Sequence, residues 1–401
     1  MSLREFRTEV RAWLDENCPE SMRTPMSEDE IVSGGSKQRS PNPDSYVWLD
    51  RMASRGWTVP DWPEEYGGAG LSKEQYIVLF EEMSRINARI PLTGMGVSMI
   101  GPTLLEYGTD EQKAEHLPKI ASGEIRWCQG YSEPGAGSDL ASLNTRAVEQ
   151  GDHFVINGQK IWTTLAQHAD WIFCLVRTDP DAPKHEGISF MLVDMAQSGV
   201  TTKPIRLISG TSPFCETFFD DALAEKKNLV DRLNKGWTVG KRLLQHERSG
   251  IQTLAQAAAG RDARATAGMP IKESAKAYVG SDTSGKIADP ALRGEITAHL
   301  MNTRALSLTQ ARSLEESQGG TPGFTTSVFK LRGAELRKEQ LELQLKARGT
   351  QALGWAGESF SDEERDVTRN WLGSKAGSIA GGSNEVQMNI IAKRVLGLPD
   401  A

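Results

Sequence analysis

The segment with the most distinctive residue types runs from Ser132 to Asp139 and reads Ser-Glu-Pro-Gly-Ala-Gly-Ser-Asp. It directly follows a strand-like stretch from Trp127 to Tyr131. Glycine and alanine let a backbone approach a planar ligand closely, and serine offers a hydroxyl group for hydrogen bonds. The spacing differs from the GxGxxG of a dinucleotide-binding turn. The residue types therefore fit two alternatives, a ligand-binding loop or an ordinary glycine-rich turn.

A second candidate is Glu247, a carboxylate on an apolar stripe of a predicted helix. Its neighbours three and four residues away on such a helix are Leu243, Leu244, Gly250 and Ile251. Burial of a carboxylate among apolar residues costs free energy and raises its pKa towards the range of a general base. The alternative is a partly exposed glutamate at the helix edge, or an ion-pair partner of Arg248.

Other titratable groups compete less well for a catalytic role. Glu133 and Asp139 lie beside a glycine-rich turn, where a carboxylate usually caps backbone amides. His246 precedes Glu247, but successive residues on a helix point about 100° apart, which argues against a Glu–His pair.

The hydrophobic pattern around these candidates changes along the chain. Up to about residue 126 apolar residues recur at helical spacing, and a helix after Ser72 is predicted to have one apolar face, formed by Tyr76, Leu79, Phe80 and Met83. A loop over 34–43 is predicted to be exposed. From about residue 127 the period is two, which predicts strands over 153–156, 159–164, 171–177, 188–193 and 200–207. Asn157-Gly158 predicts a type I′ hairpin turn.

After Gly236 the helical period returns and predicts helices over 237–265, 290–316, 326–348 and 384–396. The chain is therefore predicted to be an α+β multidomain protein. Its parts are an N-terminal helical domain (1–126), a central β-barrel-like or sandwich domain (127–235) and a C-terminal helical bundle (236–401).

The composition argues against several classes of protein. The chain has 53 acidic and 46 basic residues, for a net charge of −7, whereas proteins that bind nucleic acids or membrane surfaces usually carry a basic excess. The longest uncharged stretch, Ile90 to Leu105, is too short and polar to span a membrane, and no secretory signal is evident. The four cysteines form no CxxC pair, so neither disulfides nor a metal site is expected, and a cytoplasmic location is predicted.

Several sequence blocks together resemble the acyl-CoA dehydrogenase family. Ser132–Asp139, followed by Asn157-Gly-Gln-Lys-Ile-Trp-Thr-Thr164, resembles the flavin-binding signature of that family. Trp57–Gly70 resembles its Trp-x-x-Pro-x-x-Pro-Glu-Glu-Tyr-Gly-Gly segment. Further similar blocks lie at 101–102, 108–113, 117–118 and 381–387. The resemblance covers nearly the whole chain and implies a helical–β–helical fold that ends in a four-helix bundle.

The resemblance implies an FAD site in the central segment. Backbone groups of Tyr131 and Ser132 would lie along the isoalloxazine ring, and Ser138 would hydrogen-bond the flavin phosphate or the acyl-CoA. The opposite edge of the ring, near N5, would be covered by Trp162, Thr163 and Thr164.

The resemblance also implies cofactor contacts in the C-terminal segment. Gln351 and Gly354 match a segment that contacts the pyrophosphate, usually from the neighbouring subunit. Ser383 and Glu385 match positions that touch the adenosine half of FAD.

The chain departs from the family pattern at two places. The Arg-x-x-Phe-Gly segment that holds adenosine across the dimer is replaced by Ser-Asp-Thr-Ser-Gly at 281–285, and Arg293 downstream offers a positive charge near the pyrophosphate. Many members carry their catalytic Glu where this chain has Gly381. The isovaleryl and long-chain branches place it instead on the helix that opens the C-terminal domain, at the location of Glu247.

The implied activity is FAD-dependent dehydrogenation of an acyl-CoA thioester to a trans-2-enoyl-CoA, as in fatty-acid β-oxidation. Glu247 would take the α-proton while the β-hydrogen leaves as hydride to flavin N5. The backbone amide of Gly381 and a ribityl hydroxyl of FAD would stabilise the thioester oxygen. The substrate would be contacted by Ser138, Leu244 and Arg248, and a branched, long or ring-bearing acyl group is expected.

The implied partners are the acyl-CoA substrate and an electron-transfer flavoprotein as electron acceptor. Binding to nucleic acid or to a membrane is not expected. The implied assembly is a homodimer or homotetramer, or a heteromer. Two alternatives stay open. The chain could be a non-catalytic or half-site subunit of a heteromeric dehydrogenase, or an acyl-CoA oxidase on the same fold.

Overall fold

The computed structural model describes residues 2–249, 269–316 and 323–399, with only the backbone at 28, 247–249 and 314. These residues divide into two compact units. The first holds positions up to 205 and from 212 to 249, and the second holds positions 206–211 and those from 269 onwards. Each unit has its own hydrophobic core.

The first unit begins with helices. They are α1 (Leu3–Asn17), α2 (Asp44–Ser54), α3 (Lys73–Arg85), α4 (Gly101–Tyr107, after a π-helical turn at Gly96–Ile100) and α5 (Asp110–Ala121). Short 3₁₀ turns lie at Glu20–Arg23, Glu28–Glu30 and Glu64–Tyr66.

Helix α3 confirms the prediction made from its spacing. It starts where Ser72 and Gln75 form a capping box, each side chain accepting a hydrogen bond from the backbone amide of the other. Its buried face includes Tyr76, Leu79, Phe80 and Met83, as predicted. The predicted exposed loop over 34–43 is exposed at most positions, although Gly34 is buried.

The central strands form one mixed sheet. They are β1 (Trp127–Gly130), β2 (Arg146–Gln150), β3 (His153–Thr164), β4 (Trp171–Arg177), β5 (Ile188–Asp194), β6 (Val200–Ile205), β7 (Phe214–Glu225) and β8 (Leu229–Val230). Their order is β6-β7-β3-β2-β4-β5-β8, and β1 pairs with β4 in parallel. Short 3₁₀ turns lie at Leu140–Ser142, Ala166–His168 and Lys226–Asn228.

The predicted hairpin turn at Asn157-Gly158 is wrong. Strand β3 continues through both residues, paired with β2 on one side and β7 on the other. The chain reverses instead at Gly151-Asp152, where Gly151 has a φ of 63°. Gly158 lies opposite a bulge of β7, because β7 advances three residues, from Ala222 to Phe219, while β3 advances two. Gly158 has a φ of 148°, and a side chain there would meet Thr145 Cα at 2.7 Å. This Asn-Gly pair therefore lies opposite a bulge of β7 and allows a close backbone approach.

The two faces of the sheet bury different cores. On one face, Phe173 of β4 and Phe190 of β5 pack with helical residues such as Leu104 and Leu243. On the other face, the sheet packs largely on itself, since the core there consists mainly of residues of β2, β3, β4, β5 and β7. The sheet thus has one core that it shares with helices and one that its own strands mainly form.

Helix α6 (Gly236–Ser249) closes the described part of the first unit, so the predicted helix over 237–265 lies partly outside the described residues. The second unit contains α7 (Ile271–Val279), α8 (Pro290–Glu316), α9 (Thr326–Arg348), α10 (Asp362–Ser374) and α11 (Asn384–Ile390, then a π-helical turn to Val395). Short 3₁₀ turns lie at Gly349–Leu353 and Lys375–Ser378. Helix α9 packs against α7, α8, α10 and α11, which forms the bundle.

Most predicted elements of these regions are confirmed. The helices predicted over 290–316 and 326–348 and the strands over 171–177 and 188–193 agree with α8, α9, β4 and β5. The strand predicted over 200–207 ends at Ile205, and β2 and β7 were not predicted. Within the described ranges, no helix is both long and apolar enough to cross a membrane.

Candidate active site

The glycine-rich segment forms a compact loop at the end of β1. Glu133 and Ala136 exchange two backbone hydrogen bonds of 3.0 Å, which closes the loop on itself. A Cβ atom at Gly135 or Gly137 would meet no other atom within 4 Å, so the outer backbone of the loop faces open space. Ser132 is half-buried and Ser138 is exposed. The loop therefore presents accessible backbone, as a ligand-binding loop requires.

Strand β3 brings the second flavin-signature block against this loop. The amide of Ile161 donates to the carbonyl oxygen of Ser132 at 2.8 Å. The next residue, Trp162, has a φ of 61° at a second irregularity of β3 and is 52% exposed. A large aromatic side chain is thus held in an unusual backbone conformation beside the glycine-rich loop.

The two threonines after Trp162 have different surroundings. Thr163 is buried, and its hydroxyl donates to Cys215 O at 2.8 Å and lies 2.7 Å from Thr217 Oγ1. That hydroxyl is therefore engaged inside the sheet. Thr164 is half-buried.

A buried ion pair supports the loop from inside. Lys160 Nζ lies 2.7 Å from Glu133 Oε1, and both side chains are buried. The carboxylate also accepts the amides of Asn144 at 2.6 Å and Thr145 at 2.8 Å, so Glu133 caps backbone amides as predicted. Burial opposes ionisation of Glu133, but Lys160 and these donors outweigh it and hold the pKa of the carboxyl below its usual range.

The other competing carboxylate, Asp139, is exposed and binds side chains. Its Oδ2 atom accepts from Ser142 Oγ and from Lys184 Nζ, each at 2.5 Å. The expectation that Asp139 caps backbone amides is therefore replaced by a side-chain ion pair at the surface.

Helix α6 packs next to the loop through its first half. The hydroxyl of Tyr131 lies 3.4 Å from Gly240 O, and Leu243 is fully buried. Leu244 is partly buried at the edge of the same core. The side chains of Glu247 and Arg248 lie outside the described residues, so their predicted roles stay predictions.

His246 has a partner other than Glu247. Its Nε2 atom lies 3.3 Å from Glu106 Oε2, which also accepts from Arg242 Nε at 2.7 Å. Burial lowers the pKa of His246, and the neighbouring Arg242 acts in the same direction. Glu106 thus connects two consecutive turns of α6 to α4.

In the second unit, a glycine turn precedes α11. Gly381 and Gly382 have φ values of 66° and 89°. The buried Gln387 donates to their carbonyl oxygens at 3.0 and 3.4 Å. Ser383 caps α11 by accepting from the Val386 amide, and Glu385 is exposed on its first turn. The positions predicted from the family pattern thus form one well-defined turn.

The segment from Gly349 to Gly354 follows α9. Arg348, just before it, is buried and donates to Ser274 Oγ at 2.6 Å and Glu363 Oε1 at 2.7 Å. Gly354 is buried, and a Cβ there would meet the ring of Phe360 at 2.5 Å. The side-chain oxygen of Gln351 is buried and accepts no hydrogen bond from any described residue.

The segment that replaces Arg-x-x-Phe-Gly is a self-contained turn. Asp282 accepts from the amides of Ser284 at 2.9 Å and Lys286 at 3.0 Å. Arg293 Nη1 donates to Ile287 O at 2.7 Å and lies 3.5 Å from Asp282. The guanidinium of Arg293 therefore holds this turn.

The structure brings the predicted residues into two groups, one in each unit. Tyr131, Ser132 and Trp162 lie together in the first unit, and Gly381 and Ser383 in the second. The sequence prediction missed Lys160 and Gln387 as supports. Period-two alternation from Phe154 and Ile156 places Lys160 on the inner face, which is the signal that could have identified it. No group of His, Cys, Asp or Glu among the described residues could hold a metal ion.

Comparisons with known proteins agree with this arrangement. Family models match the N-terminal (2–124), middle (128–222) and C-terminal (234–396) domains of acyl-CoA dehydrogenases. Acyl-CoA dehydrogenase IpdE1 of Mycobacterium tuberculosis is 37% identical over 98% of this chain and 97% of its own length. The protein of that name from Mycolicibacterium smegmatis is 36% identical over 100% of this chain and 98% of its own.

A solved structure supports the same relationship. A chain of the ChsE4-ChsE5 complex from Mycobacterium tuberculosis is 31% identical, with a TM-score of 0.76, over 100% of this chain and 98% of that one. A chain of the Tcur3481-Tcur3483 steroid ACAD is 30% identical with a TM-score of 0.76 over the same shares. The chain therefore belongs to the acyl-CoA dehydrogenase family, whose members are flavin-dependent oxidoreductases.

Proposed function

We propose that this acyl-CoA dehydrogenase uses FAD to convert an acyl-CoA thioester to a trans-2-enoyl-CoA. The observation that carries the proposal is the hydrogen bond from the Ile161 amide to the Ser132 carbonyl, because it joins the two blocks of the flavin signature. Bound FAD would supply the redox chemistry by accepting the β-hydrogen of the substrate as hydride.

The residues beside this bond fit a flavin. Trp162 exposes a planar aromatic surface, and Gly135 and Gly137 leave the loop backbone open. Tyr131 and Ser132 would hold the ring system through backbone groups, with Ser138 at the exposed end of the loop. Thr163 would contribute backbone atoms, because its hydroxyl is engaged, and Thr164 would contribute its half-buried side chain.

The remaining cofactor contacts are proposed for the second unit. Gln351 and Gly354 would contact the pyrophosphate, with support from the unpartnered side-chain oxygen of Gln351. Ser383 and Glu385 would contact the adenosine half. A role for Arg293 near the pyrophosphate would require its guanidinium to serve both FAD and Ile287.

Glu247 is the proposed base that takes the α-proton. Two observations support it. Leu243 is buried and Leu244 is partly buried, so the preceding turn of α6 has an apolar face. Gly381, where many family members carry their base, has no side chain that could accept a proton.

Gly381 is the proposed donor to the thioester oxygen, through its backbone amide. Enolate charge develops on that oxygen as the α-proton leaves, so a preoriented donor lowers the barrier. Ser138, Leu244 and Arg248 are the proposed substrate contacts.

Anaerobic mixing with acyl-CoA tests the base. We expect Glu247→Gln to slow flavin bleaching by at least about 100-fold, because glutamine cannot take a proton. The probes are butyryl-CoA, palmitoyl-CoA and cyclohexanecarboxyl-CoA, and the rate is compared for whichever bleaches wild type fastest. Glu149→Gln, on exposed β2, is the matched control and should keep the wild-type rate. A near-normal rate in Glu247→Gln would show that another group is the base.

The substrate and partners are proposed from the same likeness. A ring-bearing acyl group is favoured because a similar solved structure is a steroid acyl-CoA dehydrogenase. The electron acceptor is proposed to be an electron-transfer flavoprotein, and the site of action the cytoplasm. Three functional domains are proposed at 1–126, 127–235 and 236–401, close to the ranges that the family models match.

A half-site subunit of a heteromeric dehydrogenase is the second candidate. The self-contained turn over 281–285 favours it, because that turn offers neither the Arg nor the Phe of the usual adenosine contact. A similar solved chain belongs to a two-protein complex. The chain purified alone distinguishes the candidates: one FAD per chain supports a homomeric enzyme, and a colourless chain supports the half-site subunit. Rapid reoxidation of the reduced flavin in air would instead indicate an oxidase.

A further inference from the structure

We infer that the buried Lys160–Glu133 ion pair positions the flavin, by holding the glycine-rich loop and the Trp162 segment in register. Lys160 and Glu133 are positioning residues, because their charged groups are buried beneath the surface that would touch the ring. The inference rests on the proposed FAD site and adds two residues to it.

The ammonium group of Lys160 makes three hydrogen bonds inside the first unit. The side chain has 0% exposure, and Nζ donates to Glu133 Oε1 at 2.7 Å, Leu175 O at 2.7 Å and Tyr131 O at 3.2 Å. An ammonium has three donors, so all of them are used. One side chain therefore links β3 to β4 and to the residue that opens the loop.

Glu133 extends this link to the other end of the loop. Its two oxygens accept the amides of Asn144 and Thr145 as well as Lys160. Thr145 is also the residue that Gly158 of β3 approaches closely, since a Cβ at Gly158 would meet Thr145 Cα at 2.7 Å. The pair therefore fixes where the loop leaves β1 and where the chain re-enters the sheet at β2.

The spacing along β3 explains why this matters for a cofactor. The Lys160 ammonium donates to the carbonyl oxygen of Tyr131, and the Ile161 amide donates to the carbonyl oxygen of Ser132. The next residue, Trp162, is exposed. Three successive residues thus set the position of the indole relative to the loop backbone. A shift of either segment by about 1 Å is enough to weaken a preorganised site severely.

Burial of a charged pair is a weak source of net stability, and this allows stability and positioning to be separated. Removal of one partner leaves an uncompensated buried charge and destabilises the fold, whereas neutral replacement of both is often close to neutral. A double variant therefore removes the uncompensated buried charge without restoring the donors to Tyr131 and Leu175.

The test compares holoprotein variants Lys160→Met, Glu133→Gln and the double Lys160→Met/Glu133→Gln. The Kd for FAD is measured from FAD release on dilution, which is monitored by flavin fluorescence. Visible circular dichroism reports the environment of the flavin ring, and thermal unfolding at saturating FAD gives the Tm. Lys184→Ala removes the exposed pair with Asp139 beside the same loop and is the matched control.

We expect both single variants to lower the Tm and the double variant to recover part of that loss, because the uncompensated charge is removed but the donors to Tyr131 and Leu175 are not replaced. The double variant should still bind FAD at least about tenfold more weakly, with an altered visible spectrum, as is typical when a partner that orients a binding group is lost. Lys184→Ala should match wild type in all three measurements.

Two results would overturn the inference alone. The first is a double variant that recovers the wild-type Kd and spectrum together with the Tm, since the pair would then serve only stability. The second is an unchanged Kd in Lys160→Met while wild type binds FAD. A wild-type chain that binds no FAD would overturn the proposed cofactor site as well.

Discussion

Gln387 illustrates how a buried side chain orients a backbone group that the proposed reaction uses. It donates to the carbonyl oxygens of Gly381 and Gly382, which both have positive φ values. Glycine has the widest choice of backbone conformations, so a turn of two glycines needs contacts with other residues to keep one orientation. Gln387 makes such contacts, and we therefore propose it as the positioning residue for the Gly381 amide, the proposed donor to the thioester oxygen.

We predict that Gln387→Met lowers kcat about tenfold and changes KM little, because the amide of Gly381 would stabilise charge mainly in the transition state. Steady-state kinetics with the best acyl-CoA of the panel measures both constants. Asn389→Ala, at an exposed position of the same helix, is the control and should match wild type. An unchanged kcat in Gln387→Met would show that the turn keeps its orientation without this side chain.

Among the secondary-structure elements, β3 determines most of the described site. It has register shifts between Ile156 and Gly158 and between Lys160 and Thr163. The residues between these shifts include Lys160, which points into the core, and the second shift allows Trp162 to point outwards. A regular strand would alternate without interruption, so the second shift, which inserts one residue into β3, decides which of these side chains would face a ligand.

We predict that Gly158→Ala lowers the free energy of unfolding by about 2 kcal/mol, since alanine is strained at this φ and its Cβ would contact Thr145. Urea unfolding measures the change. Gly294→Ala is the control, because an added Cβ there meets no atom within 4 Å and the residue lies in helix α8. Equal stability of Gly158→Ala and wild type would mean that this position of β3 tolerates an ordinary residue.

At the scale of the whole molecule, buried carboxylates determine how the fold responds to acid. The side chain of Glu82 in α3 is 2% exposed and accepts hydrogen bonds from Arg7, Arg11 and Arg85 at 2.9–3.0 Å. The bond from Arg11, helped by Arg85 and Arg7, outweighs burial and lowers the pKa of Glu82 from 4.5 to about 2. Arg89 similarly lowers the pKa of Glu30 to about 2.

A lowered pKa in the folded state sets the direction of the pH dependence. The ionised Glu82 stabilises the fold above its ordinary pKa of 4.5, and this contribution is lost as the pH falls towards about 2. We predict that Glu82→Gln lowers the free energy of unfolding by about 2 kcal/mol at neutral pH. The difference in the free energy of unfolding between this variant and wild type should become smaller as the pH falls from 4.5 towards about 2.

Urea unfolding at a series of pH values checks this prediction. Glu81→Gln is the matched control, since the neighbouring Glu81 is 38% exposed and pairs with Arg7 at the surface. Exposed pairs contribute little, so its cost should stay below about 1 kcal/mol. A constant difference between Glu82→Gln and wild type from neutral pH to acid would contradict the assigned pKa.

Much of the architecture could be predicted from local patterns. The spacing of Tyr76, Leu79, Phe80 and Met83 identified the inward face of α3, since one helix turn brings these residues to one side. Periodicity also located α8 and α9. It failed at Asn157-Gly158, because Asn-Gly is typical of a hairpin turn and only the pairing of β3 with β2 and β7 shows that the pair lies within a strand, opposite a bulge of β7.

The sequence by itself determined the family, the order of helical and β segments, and the loop and strand blocks that carry the flavin signature. These are properties of residue type and spacing, which local conformational preference and resemblance can interpret. Only the tertiary structure showed that Lys160 joins those two blocks through Glu133 and that Gln387 orients the Gly381 turn. Such supports depend on contacts between segments that fold next to each other, and spacing along the chain does not encode which buried donor meets which acceptor.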